Sequence, residues 1–370
     1  MTSGRSPCVS PAPARACSAT RWRSCVPELH ELLRDHTTLR LGGPARAWVR
    51  ATTQDALVDA VRRADEAGEP VLVLAGGSNL VVADEGFEGT VVEVATAGLS
   101  ADHEDGDPTC GGVVVTVAAG ESWDGFVARA VERGWVGVEA LSGIPGSVGA
   151  TPIQNVGAYG QEVSQTLTSV RVWDRKLRGV RTFAAADCGF GYRTSRFKAD
   201  PGRHVVLEVT FQFRQGELGA PVAYAELART LGVELGTRAP MTDVRRAVLD
   251  LRTTKGMVLD PEDHDTWSAG SFFTNPVLPA AALPDGAPSW PQADGTVKTS
   301  AAWLIERAGY GKGYGDGTAR LSSKHTLALT NRGGATTADL LELAREIRDG
   351  VERRFGIWLV NEPVLVGCEL

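Results

Sequence analysis

Residues 142–160 read Ser-Gly-Ile-Pro-Gly-Ser-Val-Gly-Ala-Thr-Pro-Ile-Gln-Asn-Val-Gly-Ala-Tyr-Gly. Five glycines and two prolines exclude a regular helix or an inner strand over this stretch. It has no acidic or basic side chain, so it would bind through backbone N–H groups, which glycine leaves open to close approach. A long surface loop is the simpler interpretation, but such loops are uncommon unless they are functional. The composition therefore favours a cradle for a flat or anionic ligand.

A second glycine turn lies upstream of this stretch. Val71–Leu74 is a short apolar run that predicts a strand, and Ala-Gly-Gly-Ser-Asn-Leu at 75–80 leads into the next apolar run, Leu80–Val82. A strand followed by Gly-Gly-Ser-Asn forms a turn with exposed N–H groups and two small polar side chains. Phosphate binding and a plain turn are both open for this segment.

Length and composition restrict the class of protein. The 370 residues suffice for two or three domains, and a net charge of −7 argues against nucleic acid as a partner. The six cysteines and six histidines form neither a C-x-x-C pair nor an H-E-x-x-H motif, so no disulfide framework and no metal site are predicted. No apolar run approaches the roughly 18 residues that span a bilayer. We expect a cytoplasmic protein without a membrane partner.

Residues 1–27 differ from the rest of the chain. They contain arginines but no aspartate or glutamate, and they lack the apolar centre of a secretory signal. A disordered or transit-type leader and a misassigned start are equally compatible with this composition. The folded part is expected to begin at residue 28.

Hydrophobic periodicity and capping residues predict a mixture of helices and strands. Residues 101–112, with four acids and several glycines, are predicted to form a solvent loop between domains. Strands are predicted at 71–74, 80–82, 90–94, 113–117, 168–174, 180–184, 204–213, 326–330, 357–359 and 364–366. Helices are predicted after Thr52 or Thr53, after Ser122, at 223–231, from a Thr242 cap over 242–252, at 299–308, and after Thr336 or Thr337.

Three further positions have plain structural interpretations. Ser271 lies in Ser-Ala-Gly-Ser-Phe-Phe-Thr-Asn-Pro at 268–276, which favours a turn serine over a nucleophile because the motif is not G-x-S-x-G. Tyr192 and Arg193 are compatible with a surface pair at a strand end. Glu362, followed by proline, is compatible with an ordinary edge carboxylate. The glycine spacing of 142–160 also lacks the G-x-G-x-x-G fingerprint of a Rossmann site.

Six blocks of sequence, taken in order from about residue 36 to the C-terminus, favour a functional interpretation of these positions instead. They are Gly-Gly-Ser-Asn-Leu, the 143–160 loop, Phe-Gly-Tyr-Arg-Thr-Ser, Leu-Arg-Thr-Thr-Lys, Ala-Gly-Ser-Phe-Phe-Thr-Asn-Pro and Pro-Gln-Ala-Asp-Gly-Thr-Val-Lys. Together they resemble the UDP-N-acetylenolpyruvoylglucosamine reductase family of peptidoglycan precursor synthesis. Each block is modest alone, whereas six in order are specific.

The resemblance implies an α+β chain with the vanillyl-alcohol-oxidase type of FAD fold, in which two subdomains clasp the flavin and a third covers the substrate. On this basis residues 28–100, joined by the C-terminal strand at 360–370, form the first FAD subdomain. Residues 101–220 form the second subdomain, and residues 221–359 form the substrate domain. The implied ligands are FAD, NADPH and a UDP-sugar, and a monomer is expected.

The resemblance also implies roles for individual residues. Ser271 matches the family's proton donor, and Arg193 and Glu362 match its other catalytic positions. The implied FAD contacts are Gly76, Gly77, Ser78, Asn79, Leu80, Gly143, Ile144, Pro145, Gly146, Gly149, Ala150, Gln154, Asn155, Gly157, Ala158 and Tyr159. The implied substrate contacts are Tyr192, Tyr224, Arg252, Lys255, Asn275, Trp290 and His325, with Tyr224 on a mobile loop found in one subtype.

Two departures from the family pattern bear on these assignments. Glu362 lies in the order Asn-Glu-Pro, where a Pro-Glu order is expected. Trp290 replaces a common tyrosine, so it keeps an aromatic face but lacks the hydroxyl. A flavin oxidase with another substrate and a non-catalytic nucleotide-sugar binding protein stay open as alternatives, although a binding protein would need no proton donor.

The expected chemistry explains why these residue types are suitable. Hydride addition to the terminal vinyl carbon of an enol ether would drive negative charge onto the adjoining carboxylate, which a guanidinium and a protonated acid stabilise. Arg193 and Glu362 are the predicted pair. The neighbouring carbon then takes a proton from a positioned hydroxyl, for which Ser271 is the candidate.

Overall fold

The computed structural model of the chain describes Met1, residues 31–102 and residues 112–370. Seven α-helices lie within these residues. They are α1 (Gln54–Glu66), α2 (Trp123–Glu132), α3 (Arg196–Ala199), α4 (Ala225–Leu231), α5 (Met241–Thr254), α6 (Ala301–Arg307) and α7 (Thr337–Phe355).

Eighteen strands, most of them short, lie within the same described residues. The first nine are β1 (Ala45–Ala51), β2 (Val71–Leu74), β3 (Leu80–Val82), β4 (Phe87–Val94), β5 (Leu99–Asp102), β6 (Val113–Ala118), β7 (Trp135–Val136), β8 (Gly157–Ala158) and β9 (Gln161–Glu162). The others are β10 (Leu167–Asp174), β11 (Gly179–Ala184), β12 (His204–Gln215), β13 (Val277–Pro279), β14 (Ser289–Pro291), β15 (Thr296–Thr299), β16 (Ala319–Leu321), β17 (Leu329–Asn331) and β18 (Val364–Val366).

The N-terminal part is built on a parallel sheet of order β1-β4-β2. Helix α1 supplies Leu57 and Val61 to the core beside it, and Thr53 caps its first turn by accepting from the N–H of Ala56, which confirms the predicted cap. Strand β18 pairs in parallel with β3. The end of the chain is therefore tied to the segment that follows the first glycine turn.

A larger antiparallel sheet of order β11-β10-β12-β6-β5 forms the middle of the molecule. Helix α2 packs on this sheet through Trp123 and Phe126, whose rings lie near that of Phe211 in β12. The Oγ of Ser122 accepts from the N–H of Gly125, which confirms Ser122 as the cap of α2. The helix positions the next segment of chain, residues 142–160.

Helices α4 and α5 share a small core of their own. Val222, Leu227 and Val248 are buried there with Ala140, and the ring of Tyr159 packs against them. The prediction that Thr242 caps α5 is wrong, because the helix begins at Met241 and Pro240 stands at the cap position. The N–H of Met241 is satisfied by the carbonyl of Glu217, so no hydroxyl cap is needed.

The C-terminal part combines small sheets with two helices. The sheets have the orders β13-β15-β14 and β16-β17, and α6 and α7 pack beside them over a core that includes Phe272, Phe273 and Leu340. Thr336 and Asp339 form a capping box at the start of α7, as the sequence predicts for Thr336.

Several predicted boundaries are corrected. Residues 101–102 belong to β5 rather than to a loop, the rest of that predicted loop lies almost wholly outside the described residues, and residues 357–359 are buried in part without forming a strand. The strand predicted at 326–330 is Leu329–Asn331, and the helix predicted at 299–308 is Ala301–Arg307. Apart from Met1, the leader 1–27 lies outside the described residues, and the domain boundaries stay a prediction.

Candidate active site

The two glycine turns predicted from the sequence lie against each other. The Oγ of Ser78 donates to the carbonyl of Pro145 over 3.2 Å, and a Cβ on Gly76 would stand 2.7 Å from the Cα of Gly146. Gly146 itself has φ +111, and a Cβ there would meet the Oγ of Ser78 at 2.9 Å. Only glycine allows this backbone approach, so the two turns form one continuous glycine-lined surface.

The long loop is fixed to the N-terminal end of α2. The N–H of Trp123 donates to the carbonyl of Gly146, and the N–H groups of Val148 and Gly149 donate to the carbonyls of Glu121 and Ala119. A Cβ on Gly149 would stand 2.5 Å from the Cβ of Ala119, so the loop has no room to move toward the helix. The cradle is therefore a rigid part of the fold.

Two buried polar atoms beside this loop have no hydrogen-bond partner among the described residues. They are the Oγ of Ser147 and the Nε of Arg252. The Nε of Arg252 would lie 3.5 Å from a Cβ built on Gly143, so it points at the loop. Unsatisfied buried donors beside a glycine cradle suit a ligand with polar and anionic groups, and FAD is such a ligand.

Arg193 occupies a turn that fixes its side chain. Gly191 and Thr194 exchange backbone hydrogen bonds around it, and Arg193 has φ +51 in the left-handed region. An L-residue in this conformation costs about 1–2 kcal/mol, which the surrounding contacts must offset. The guanidinium donates from Nη2 to the carbonyl of Gly157 over 2.9 Å, and its Nε lies 3.1 Å from Oε1 of Glu362. This Nε–Oε1 contact is an ion pair whose N–H is not directed at the oxygen.

Glu362 is held from two sides. The Nε2 of Gln154 donates to its Oε1 over 3.2 Å, and the amide of Asn79 in turn donates to Oε1 of Gln154 over 3.2 Å. Burial raises the pKa of the Glu362 carboxyl, against the opposing charges of Arg193 and Lys198. A carboxyl in this setting holds its proton more readily than an ordinary glutamate does. The interpretation of Glu362 as an ordinary edge carboxylate is therefore wrong.

Ser271 lies next in the chain to a segment whose backbone pairs with that of Glu362. Phe273 and Asn361 form an antiparallel bridge, the N–H of Thr274 donates to the carbonyl of Val360, and the N–H of Glu362 donates to the carbonyl of Phe272. Ser271 thus adjoins the residue that stands opposite Glu362. Its hydroxyl makes no hydrogen bond with any other part of the chain that the structure describes.

Two lysines near the trio were not singled out from the sequence. The Nζ of Lys198 donates to the carbonyl of Arg193 over 3.1 Å. The Nζ of Lys298 lies 4.5 Å from the centre of the Tyr192 ring, a cation–π contact. Lys298 ends the block Pro-Gln-Ala-Asp-Gly-Thr-Val-Lys, and Lys198 lies three residues after the block Phe-Gly-Tyr-Arg-Thr-Ser.

A second cluster of polar side chains lies around Tyr159. The ring of Tyr159 meets that of Tyr224 edge-on at 5.5 Å, and the Nζ of Lys255 lies 5.8 Å from its centre. Burial raises the pKa of Tyr159 to about 12 and lowers that of Arg252 to about 10. Burial, with the charges of Lys255, Lys312 and Arg252, also lowers the pKa of His325 to about 4, so this imidazole is neutral at pH 7. Four of the predicted substrate contacts therefore share one region.

The remaining predicted contacts vary in how they are engaged. Both polar atoms of the Asn155 side-chain amide are hydrogen-bonded inside the protein. Its Nδ2 donates to Glu162 and to the carbonyl of Gly191, and its Oδ1 accepts from the N–H of Ser164. The Oδ1 of Asn275 accepts from the N–H of Ala301 at the start of α6. Trp290 is 47% exposed and stands directly across from Lys298 in the β14–β15 pair, on the face that reaches Tyr192.

Within the described residues, no group of three histidine, cysteine, aspartate or glutamate side chains is arranged to hold a metal ion. Over the same residues, no helix combines the length and the apolar character that crossing a bilayer requires.

Comparison with known proteins decides the family. Residues 45–179 match the family model "FAD binding domain", and residues 260–366 match "UDP-N-acetylenolpyruvoylglucosamine reductase, C-terminal domain". A reductase of that name from Cutibacterium acnes is 60% identical over 337 residues, covering 90% of this chain and 89% of the relative. The chain belongs to the UDP-N-acetylenolpyruvoylglucosamine reductase family.

Other reductases of the same name agree with this assignment. The one from Thermobifida fusca is 58% identical over 351 residues, covering 91% of this chain and 97% of the relative. The crystal structure of the reductase from Thermus caldophilus is 28% identical, with a TM-score of 0.60 over 91% of this chain and 98% of that one.

Membership of this family confirms the α+β, vanillyl-alcohol-oxidase-type FAD fold and the requirement for FAD that the sequence predicts. The chain is an FAD-dependent oxidoreductase of peptidoglycan precursor synthesis. The subtype defined by the Tyr224 loop, the monomeric state and the cytoplasmic location stay predictions.

Proposed function

We propose that this enzyme uses NADPH to reduce UDP-N-acetylglucosamine enolpyruvate to UDP-N-acetylmuramate. The observation that carries the proposal is that Arg193 contacts both Glu362 and the glycine cradle, while Ser271 lies beside the segment paired with Glu362. The names of its relatives supply the substrate class. We also propose that the chain divides as the sequence predicts, with β18 joining the first FAD subdomain through β3.

The cradle supplies the cofactor site in this proposal. Residues 76–80 and 143–159 would hold FAD through backbone N–H groups, with the buried hydroxyl of Ser147 as a further donor. When bound, FAD supplies the hydride that adds to the terminal vinyl carbon of the substrate. The further steps depend on side chains of this chain.

Arg193 and Glu362 would stabilise the charge that develops on the substrate carboxylate. The guanidinium is fixed in direction by its bond to the carbonyl of Gly157, so it needs no reorganisation when the charge appears. Glu362, with its pKa raised by burial, would serve as a protonated donor to the same carboxylate. Donors fixed in this way typically contribute a factor of about 10²–10³ to the rate.

Ser271 would deliver the proton to the carbon next to the carboxylate. Its hydroxyl is uncommitted to any other described residue, and its neighbour in the chain is paired with Glu362. A hydroxyl acts as an acid here only if its conjugate base is stabilised, and the positive charges of Arg193 and Lys198 lie in the same region.

The region around Tyr159 would bind the nucleotide part of the substrate. Lys255 carries a positive charge at its edge, paired over 2.6 Å with Glu226, and His325 and Lys312 lie within electrostatic reach. A diphosphate would replace the carboxylate of Glu226 as the partner of Lys255. Trp290 would offer an aromatic face to the base or the ribose.

The test measures NADPH oxidation by the FAD-loaded enzyme without air, with and without the enolpyruvyl nucleotide. We expect NADPH oxidation beyond one equivalent per FAD to require the nucleotide, and the nucleotide to become two hydrogens heavier. In a parallel run with air, rapid oxidation that does not depend on the nucleotide would indicate an oxidase, and nucleotide binding without turnover would indicate a binding protein.

A further inference from the structure

Lys198 lies on a support that links the cradle to the catalytic arginine. Helix α3 is a single turn whose cap, Ser195, accepts at Oγ from the N–H groups of Phe197 and Lys198. The hydroxyl of the same serine donates to the carbonyl of Ile153, within the long glycine loop. The helix that carries Lys198 is therefore anchored to the wall of the cofactor site.

From α3 the side chain of Lys198 extends back to Arg193, whose backbone is strained. Its Nζ donates to the carbonyl of Arg193, the residue that holds φ +51 at the corner of a turn. The left-handed conformation of an arginine persists only where the surroundings enforce it. The ammonium is the side-chain donor that the structure shows on this carbonyl.

The same ammonium is charged and lies within electrostatic reach of the catalytic acid. Charged and titratable groups that act on Glu362 are Arg193 and Lys198, and Glu362 in turn acts on the phenol of Tyr192. Burial lowers the pKa of Lys198, while the carboxylate of Glu362 opposes that change. Removal of the lysine charge would therefore leave Glu362 with a single positive neighbour, Arg193, among these described groups.

We propose that Lys198 is a positioning residue for the reduction, which holds the turn of Arg193 through its carbonyl and supplies a second positive charge beside Glu362. The inference rests on the proposed function, because it acts through the two residues assigned to the substrate carboxylate. Lys198 itself is assigned no contact with substrate or cofactor.

Three substitutions separate the two roles. Lys198→Met removes both the donor and the charge, Lys198→Gln keeps a donor without the charge, and Lys198→Arg keeps both. Lys176→Met is the matched control, because Lys176 is an exposed lysine that pairs with Asp200, at the C-terminal end of α3, and not with Arg193 or Glu362. Flavin absorbance and melting temperature of each variant report whether it folds and holds FAD.

The expected results concern kcat, KM and the pH profile of the FAD-loaded enzymes. Loss of a positioning contact should lower kcat of Lys198→Met by about 10–100-fold, with KM for the nucleotide changed far less. If protonated Glu362 is the active form, activity falls as pH rises through its pKa, and loss of a neighbouring cation moves that fall to higher pH. Lys198→Met and Lys198→Gln should show this movement, whereas Lys198→Arg and Lys176→Met should not.

Two outcomes would overturn the inference. If wild type is active and Lys198→Met keeps kcat within about twofold, or if the alkaline fall stays in place in both uncharged variants, Lys198 has no positioning role. If wild type itself does not turn over the nucleotide, the proposed function fails and the inference fails with it. Should Lys198→Met not fold, Lys198→Gln and Lys198→Arg still decide, because they differ in charge.

Discussion

Replacement of Glu362 by glutamine removes the ionisable carboxyl and its proton, while the side chain keeps nearly the same shape. In the native site Oε1 lies 3.1 Å from Nε of Arg193 and accepts from Gln154 over 3.2 Å, and the side chain is 13% exposed. A glutamine keeps the acceptor oxygen for both neighbours. It loses the ability to carry the proton that the raised pKa of Glu362 favours.

The expected magnitudes for activity and stability differ. The amide N–H of glutamine is a weaker donor than the acidic O–H of a protonated carboxyl, so kcat should fall by about 10²–10³, which corresponds to about 3–4 kcal/mol in the transition state. Stability should change by only about 1 kcal/mol, because the lost ion pair is offset by relief of the buried carboxylate's desolvation. The melting temperature should therefore move by about 2–4 °C.

The assay follows formation of the reduced nucleotide by chromatography and mass, under saturating NADPH, across a range of pH. Wild-type activity should fall as pH rises through the raised pKa of Glu362, and the low activity of Glu362→Gln should lack that fall. A glutamine variant with kcat within about threefold of wild type, or with the same alkaline fall, would refute the role of Glu362.

Three further predictions concern the donor, the cradle and the scaffold. Ser271→Ala should lower nucleotide reduction by about 10³ while NADPH still reduces the flavin, because only the proton transfer is lost; stopped-flow absorbance separates the two steps. Gly149→Ala should destabilise the fold by about 1–3 kcal/mol and release FAD on gel filtration, because its Cβ would stand 2.5 Å from that of Ala119. Asp174→Asn should cost about 2 kcal/mol at pH 7, because hydrogen bonds from Arg203 lower the pKa of Asp174 to about 2, and this difference should shrink as the pH falls from about 4 toward 2 in urea unfolding.

Each of these has a matched control. Ser100→Ala alters an exposed serine on β5 and should leave reduction unchanged. Gly179→Ala should be tolerated, since its Cβ would meet nothing closer than 3.8 Å. Asp200→Asn disrupts a more exposed set of ion pairs and should cost less than Asp174→Asn. Full nucleotide reduction by Ser271→Ala, tight FAD in Gly149→Ala, or a pH-independent effect of Asp174→Asn would contradict the respective prediction.

The sequence predicted those parts of the fold that depend on local chemistry. Thr53, Ser122 and Thr336 cap the helices they were expected to cap, because a hydroxyl satisfies the first free N–H groups. Residues 142–160 contain no α-helix and only the two-residue strand β8, as five glycines and two prolines require.

Elements that depend on distant partners were harder to predict. Strand β1 (Ala45–Ala51) places two arginines among its apolar residues, so its pattern is weak until its pairing with β4 is known. Of three short strands, Val277–Pro279 and Ser289–Pro291 contain prolines and exposed residues, and both pair with the third, Thr296–Thr299. Partial burial accounts for the apolar run at residues 357–359, which does not pair as a strand.

In the candidate site, too, features set by local sequence were predictable and contacts between distant residues were not. Glycine turns and the resemblance carried by their neighbours indicated which segments converge. The partner of Glu362 was not predictable, because Gln154 lies 208 positions away in the chain and was assigned to the cofactor. Lys198 was missed for a related reason, since its importance comes from the left-handed backbone of Arg193, which no propensity favours for arginine.

A crystal structure of the enzyme with FAD and the enolpyruvyl nucleotide tests the central claim most directly. The account predicts that the flavin lies along residues 143–159, that the substrate carboxylate contacts Arg193 and Glu362, and that the hydroxyl of Ser271 faces the carbon beside that carboxylate. A complex in which the enolpyruvyl group lies away from these three side chains would contradict it.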